Sequence, residues 1–199
     1  MDGLSVRMLK TKTDWFKKTV SSVETKFNVK FEYAYYKKMI LRNVNSYLAI
    51  DTDNKIKQKN EFVENPDLGN NIDFLIIPKA LKAYYVDGID YEKFIKEHKN
   101  IYDFCASKKV DKSYSVYWTS PDGIRSKQQR LNRFYASKKG GYLFKVRDGS
   151  DNHLLKDSGV MIYNNHKDSF PTDINYEFYI NKVREIVVQL NNNNQLSLF

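Results

Sequence analysis

A chain of 199 residues with 41% apolar content can bury a sizeable core as one or two domains, which excludes an intrinsically disordered protein. Its net charge of +9 suits a polyanionic partner, nucleic acid above all, and the 15 Tyr and 12 Phe can stack on bases as well as fill a core. No apolar run reaches the ~20 residues that cross a bilayer and no signal-peptide pattern opens the chain, so a soluble intracellular protein with no membrane partner is expected. Cys105 is the only cysteine, which excludes an intrachain disulfide and a thiolate metal cluster; beside Phe104 it reads as a buried apolar residue.

In chain order, Leu4, Val6 and Met8 alternate as a half-buried strand behind Asp2. Thr13 or Asp14 then caps a helix with Trp15, Phe16, Val20, Val23 and Phe27 on its apolar face and Lys12, Lys17, Lys18 and Lys26 on its wet side, and Asn28 ends it. Val29, Phe31 and Tyr33 alternate as a second strand. Residues 45–60 read as a β-hairpin turning at Asp53-Asn54, so the string Asp51-Thr52-Asp53 is a turn rather than a metal site. A polar loop with Pro66 and Gly69 follows.

Between Asn71 and Cys105 the local signals agree best. Pro78 suits the first turn of a helix that carries Ala80, Leu81, Tyr84 and Tyr85 and stops at Gly88; Asp90 caps a second helix with Phe94 and Ile95 inward, and Ile101 begins a third element. His98 reads as an exposed helix-end residue, since His153 and His166 lie in separate loops and supply no ligand pair. Residues 110–128 form a basic loop or hairpin with Trp118 and the turn Pro121-Asp122-Gly123. From Arg125 to Lys145, seven basic residues interleave with Phe134, Tyr135, Tyr142 and Phe144, interrupted by Gly140-Gly141. Such a segment suits DNA phosphates; the alternative is a wet strand surface with Tyr135 and Tyr142 packed inward. Val160 to Tyr163 is a short strand, and Asp173 caps a last helix with a stripe of Phe178, Val183, Val187 and Leu190. The asparagines 191–194 predict a flexible tail that ends in QLSLF.

Several of these stretches resemble successive pieces of the family B DNA polymerases of bacteriophages and mobile elements. RNVNSYLAIDTDNKIKQKN is similar to the hairpin that closes the family's palm, PKALKAYYVDGIDYEKFI to the start of its thumb, QQRLNRFYASKKGGYLFKV to a later thumb segment, and INYEFYINKVREIV to its last helix. The resemblance implies an α+β chain: residues 1–60 as the C-terminal part of a palm (strands, one helix, a β-hairpin), 61–190 as a mixed helical and β thumb, and 191–199 as a flexible tail.

DGLSVRM resembles the end of the palm's metal-binding turn, with Asp2 at its second aspartate and Met1 where the family has threonine. The resemblance implies that Asp2 is catalytic and a ligand of Mg2+ shared with a larger chain, which would carry the exonuclease, the fingers and the remaining palm acids that this sequence lacks. It implies contacts to a DNA primer-template at Lys38, Arg42, Asn45 and Tyr47, and at Arg130, Asn132, Arg133, Tyr135, Lys138 and Lys145. Asn45 stands where many family members have lysine, which leaves the charge to Lys38 and Arg42; Tyr47 packs inward or touches DNA.

The terminal QLSLF resembles the pentapeptide by which bacterial polymerases bind the sliding clamp, Gln195 orienting it and Leu196, Leu198 and Phe199 filling an apolar pocket. That implies the cytoplasm of a bacterial host. The expected function is therefore the C-terminal subunit or fragment of a split DNA polymerase, inactive alone; the alternative is a non-enzymatic accessory protein that binds DNA and the clamp. A nuclease is disfavoured, because no acid and histidine cluster of suitable spacing is present.

Overall fold

The computed structural model describes residues 6–64, 72–165 and 169–196, with side chains as far as 192. The chain forms two compact units, Met1–Tyr36 and Lys37–Phe199. It is an α+β protein with antiparallel sheets.

The first unit is built on one helix. Lys10–Lys12 form a 3-10 turn leading into α1 (Thr13–Phe27), and Thr13 Oγ1 donates to Lys10 O at 2.8 Å. Asn28 ends α1 in the left-handed conformation (φ 50°), where an Asn side chain is tolerated, and Val29 N–H donates back to Glu24 O. The two strands read on either side of α1 are absent from the described residues: 6–9 and 29–35 carry no ladder. Alternation prepares a segment for one face of a sheet, but a strand exists only where a second strand supplies its hydrogen bonds.

The second unit begins one residue into β1 (Tyr36–Asn43), which with β2 (Ser46–Asp51) and β3 (Ile56–Lys59) makes a sheet of order β1-β2-β3. The turn from β2 to β3 is organised by Asp51, whose Oδ1 accepts from Asp53 N–H and Lys55 N–H at 2.9 Å, with Asn54 at φ 64°. The Asp-Thr-Asp string thus lies at a turn, as the hairpin read over residues 45–60 predicts. Leu48 and Phe62 join Ile76 in one core, so the sheet packs with the helices after it inside the second unit.

α2 (Ile76–Lys82) holds Pro78 in its first turn, where a missing N–H costs nothing, and widens into a π-helical turn, Ala83–Asp87, that Gly88 stops at φ 69°. α3 (Tyr91–Glu97) is capped by Asp90, whose Oδ1 accepts from Lys93 N–H at 2.9 Å. α4 (Tyr176–Leu196) packs on both. Two differences from the sequence reading occur here. Asn175, not Asp173, stands at the start of α4, its side chain accepting weakly from Phe178 N–H at 3.4 Å. The helix also continues through the asparagines to Leu196 instead of loosening at 191, because adding a residue to an existing helix fixes one residue for one new hydrogen bond.

Against these helices lies the sheet β10-β7-β4, made of β4 (Cys105–Lys109), β7 (Leu131–Ser137) and β10 (Gly159–Ile162). Phe74, Phe134, Phe178, Tyr179 and Phe104 meet edge to face in the core between them. A four-stranded sheet follows in the order β6-β5-β8-β9, from β5 (Ser115–Thr119), β6 (Arg125–Gln128), β8 (Tyr142–Arg147) and β9 (Ser150–His153). The sheets meet where Gly141 bridges Val160 and Trp118 Nε1 donates to Val160 O at 3.1 Å. A Cβ on Gly141 would sit 1.8 Å from Thr119 O, and one on Gly140 2.5 Å from the Val160 backbone. The Gly-Gly pair is the crossing point of two sheets, not a loose interruption.

Candidate nucleic-acid interface

β4 and β7 end together. Beyond the register pair Lys109 and Leu131, Val110 N–H still donates to Arg130 O at 2.9 Å, and the chain then turns at Asp111. Asp111 Oδ1 accepts from Ser113 N–H (2.9 Å) and Ser113 Oγ (2.7 Å), and these bonds hold its carboxyl below the usual carboxylate range. Lys109, Lys112 and Arg130 line an open pocket around this turn. The turn ends at Tyr114, whose ring faces Lys145 Nζ at 5.3 Å and the Arg147 guanidinium at 5.7 Å. Five cations from β4, the turn, the β6–β7 connection and β8 therefore gather around residues 110–114, opposed locally by Asp111 and by Asp148, which pairs with Arg147.

The residues expected from sequence are dispersed. Arg130 and Lys145 belong to this cluster. Arg133 is half-buried, its guanidinium 5.1 Å from the Tyr102 ring. Lys138 is exposed at the far end of β7, eight residues or about 26 Å from Arg130. Asn132 and Tyr135 are buried and their polar groups are used inside the fold: Asn132 Oδ1 accepts from Asn164 Nδ2 at 3.0 Å, and Tyr135 Oη donates to Asp173 Oδ1 at 2.9 Å. Burial and the Asp173 carboxylate push the Tyr135 hydroxyl far up. Neither side chain is placed to touch a ligand on the surface, so inward packing is the outcome for Tyr135, while Tyr142 is exposed.

On the first sheet, the Arg42 guanidinium pairs with Glu61, which also accepts from Ser46 Oγ at 2.7 Å, and Lys38 Nζ donates to Tyr85 O. Asn45 is exposed at the turn between β1 and β2 and accepts from Lys59 Nζ at 3.3 Å, while Tyr47 is half-buried opposite Lys59. Lys59 thus brings a charge to the position where Asn45 has none. Asp2, Leu198 and Phe199 lie outside the described residues; Gln195 and Leu196 are described only as backbone of the last turn of α4.

Lys109, Lys112, Tyr114 and Arg147 were not expected from sequence to contact DNA. The Lys-Lys-Val-Asp-Lys run ahead of Tyr114 is a visible signal, but the contribution from β8 appears only through the register of β5 with β8, Ser115 opposite Val146. His98 is not an exposed helix end. Its Nε2 lies 2.6 Å from Asp103 Oδ2, and Lys79 Nζ donates to both Asp103 oxygens at 2.8 Å. Burial pushes the Asp103 carboxyl up, but the hydrogen bonds and charges of His98 and Lys79 outweigh it and hold it below its ordinary value. Burial also raises the Cys105 thiol to about 12, so it packs as an inert apolar group.

Among the described residues no group of three His, Cys, Asp or Glu side chains could hold a metal ion, so those residues do not by themselves fit a Mg2+ site. None of the described helices is long and apolar enough to cross a membrane. Compared with protein-family models, curated proteins and solved structures, the chain matches none.

Proposed function

We propose that this chain is the C-terminal subunit of a split family B DNA polymerase, in which it grips primer-template DNA and a larger chain supplies the rest of the enzyme. The observation that carries the reading is the convergence of Lys109, Lys112, Arg130, Lys145 and Arg147 on one turn. Groups of this kind neutralise successive phosphates without reading bases, which is what an enzyme requires when every sequence must pass through it. The resemblance of the stretches 42–60, 78–95, 128–146 and 174–187 to consecutive polymerase segments supports the same reading, with residues 1–60 as palm and 61–190 as thumb.

In that enzyme Mg2+ held by carboxylates would bridge the incoming triphosphate and the primer 3′ oxygen. Asp2 is the one acid that the resemblance offers from this chain, and its partners have to come from the larger chain. The chain's own part is positional. It holds the duplex by its phosphates, Lys138 and the Asn45 and Lys59 turn adding contacts away from the main cluster, and QLSLF ties the complex to a bacterial-type sliding clamp in the host cytoplasm.

The test is primer extension by the chain mixed with its larger partner. The reading expects incorporation that Asp2→Ala abolishes while DNA affinity is kept, and loss of clamp stimulation alone when residues 195–199 are removed. DNA and clamp binding with no incorporation under any pairing would leave the non-enzymatic accessory protein as the function.

A further inference from the structure

α1 and the stretch after it are the part of the molecule that most needs something beyond itself. None of the residues 6–36 is buried. Phe16, Val20, Val23 and Phe27 form one helical stripe with Trp15 beside it, yet Trp15 remains 65% and Phe27 62% exposed. Beyond Asn28, the alternating Phe31, Tyr33 and Tyr35 are 50%, 43% and 50% exposed, and no described strand pairs with their backbone. Those five aromatic residues alone leave roughly 500 Å² of ring surface uncovered, at about 200 Å² per ring. With Leu9, Val23, Val29 and the lysine stems, the face approaches the ~800 Å² that each partner buries in a stable complex.

We infer that residues 9–35 are a docking surface for a second polypeptide, which lays an apolar, carboxylate-rimmed patch on α1 and adds a β-strand along Val29–Tyr35. The charge selects the occupant. The first 36 residues hold seven basic against four acidic residues, with Lys10, Lys12, Lys17, Lys18 and Lys26 on α1 and the turn before it. An acidic surface complements that rim, whereas a second copy, itself carrying +9, repels it. A lipid surface could take the basic helix but not the extended stretch, where Glu24 accepts from the Val29 and Phe31 N–H groups but no described strand pairs with the backbone, so that the other N–H and C=O groups would lack partners in hydrocarbon. An added strand satisfies them and uses the alternate side chains for specificity. The inference gives the partner chain of the reading above a place to bind, and it rests on that reading for the partner's existence, not for the partner's chemistry.

The test uses the full chain with a C-terminal tag, purified from the cells that make it. The polypeptide that accompanies it is identified by mass, purified and recombined with the chain. In the complex, hydrogen exchange at the amides of 29–35 is expected to slow at least tenfold, and Trp15→Ala with Phe27→Ala to weaken association at least tenfold. Far-UV circular dichroism and DNA affinity should stay unchanged, because both side chains are exposed. The inference is overturned if nothing accompanies the chain or if the recombined complex leaves those amides and both variants unaffected. A concentration-dependent dimer of the chain that protects the same amides, or co-sedimentation with phosphatidylglycerol vesicles that does so, overturns it as well. A complex with the expected protection that incorporates no nucleotide sinks the polymerase reading and leaves the docking surface standing, while incorporation with residues 9–35 unprotected does the reverse.

Discussion

Removing one oxygen atom, in Tyr179→Phe, should be among the costliest conservative changes in the molecule. Tyr179 is buried, and its hydroxyl stands where β4 stops pairing with β7: it accepts from Ala136 N–H at 2.8 Å and donates to Phe104 O at 2.7 Å. Both groups are buried backbone, so the phenylalanine would strand a donor and an acceptor together. At ~1–3 kcal/mol for each unsatisfied group, the loss is about 2–6 kcal/mol. With a urea m-value near 2 kcal/mol/M, the unfolding midpoint should fall by about 1–3 M. Tyr85→Phe is the internal control. The Tyr85 hydroxyl is buried with no hydrogen-bond partner among the described residues, and burial beside Tyr84 and Tyr91 raises it to about 12. Deleting that oxygen relieves a buried polar group and should raise stability by about 1 kcal/mol. The reasoning fails if both substitutions move the midpoint the same way, or if Tyr179→Phe costs less than about 1 kcal/mol with an unchanged m-value.

Further expectations follow from the same geometry. Gly141→Ala forces a methyl against Thr119 O and should cost about 3 kcal/mol or more by thermal unfolding, whereas Gly123→Ala, open in space but at φ 80°, should cost about 1 kcal/mol. Because Asp103 has a folded-state value below the unfolded 3.8, its contribution is complete above that value and disappears as pH falls through the lower one. Asp103→Asn should therefore lower stability at neutral pH and flatten its decline below about pH 4, as read by urea titration at several pH values. For DNA, Lys112→Ala with Arg130→Ala should reduce the slope of log affinity against log salt by about 2 and weaken all sequences alike; an unchanged slope would remove the pocket from the interface.

The helical run from Ile76 to Glu97 was legible because each of its signals acts within one turn of itself: Pro78, Gly88 and the Asp90 cap occupy the roles their chemistry dictates. What the sequence withheld was pairing. Tyr135 and Arg133 share one face of β7, yet Tyr135 is covered and bonded to Asp173 while Arg133 lies over Tyr102 at the margin. Asp173 could not be told from Asn175 as a cap, since either side chain suits the position and only the Tyr135 and Ser137 hydroxyls decide it. The alternation at Val29 to Tyr35 was read correctly as a pattern and wrongly as an element, because period two records a readiness to pair and not the presence of a partner.

Charge shows the same limit and resolves it in a useful way. A net +9 says that a polyanion suits this chain but not where. Folding sets much of the basic complement against carboxylates: Arg42 with Glu61, Lys79 with Asp103, Arg125 with Asp151, Lys182 with Asp157 and Arg184 with Glu92. Two further concentrations of basic residues differ in kind, the first of them including the Arg147 pair with Asp148. Around residues 110–114 the cations surround a polar turn and a single ring, a setting that favours phosphate oxygens. Along α1 the lysines border an exposed apolar stripe and an extended stretch with which no described strand pairs, a setting that suits a protein surface. Under the proposed function the first arrangement would serve DNA and the second the partner polypeptide, and the two can be removed separately by substitution at Lys112 and Arg130 or at Trp15 and Phe27.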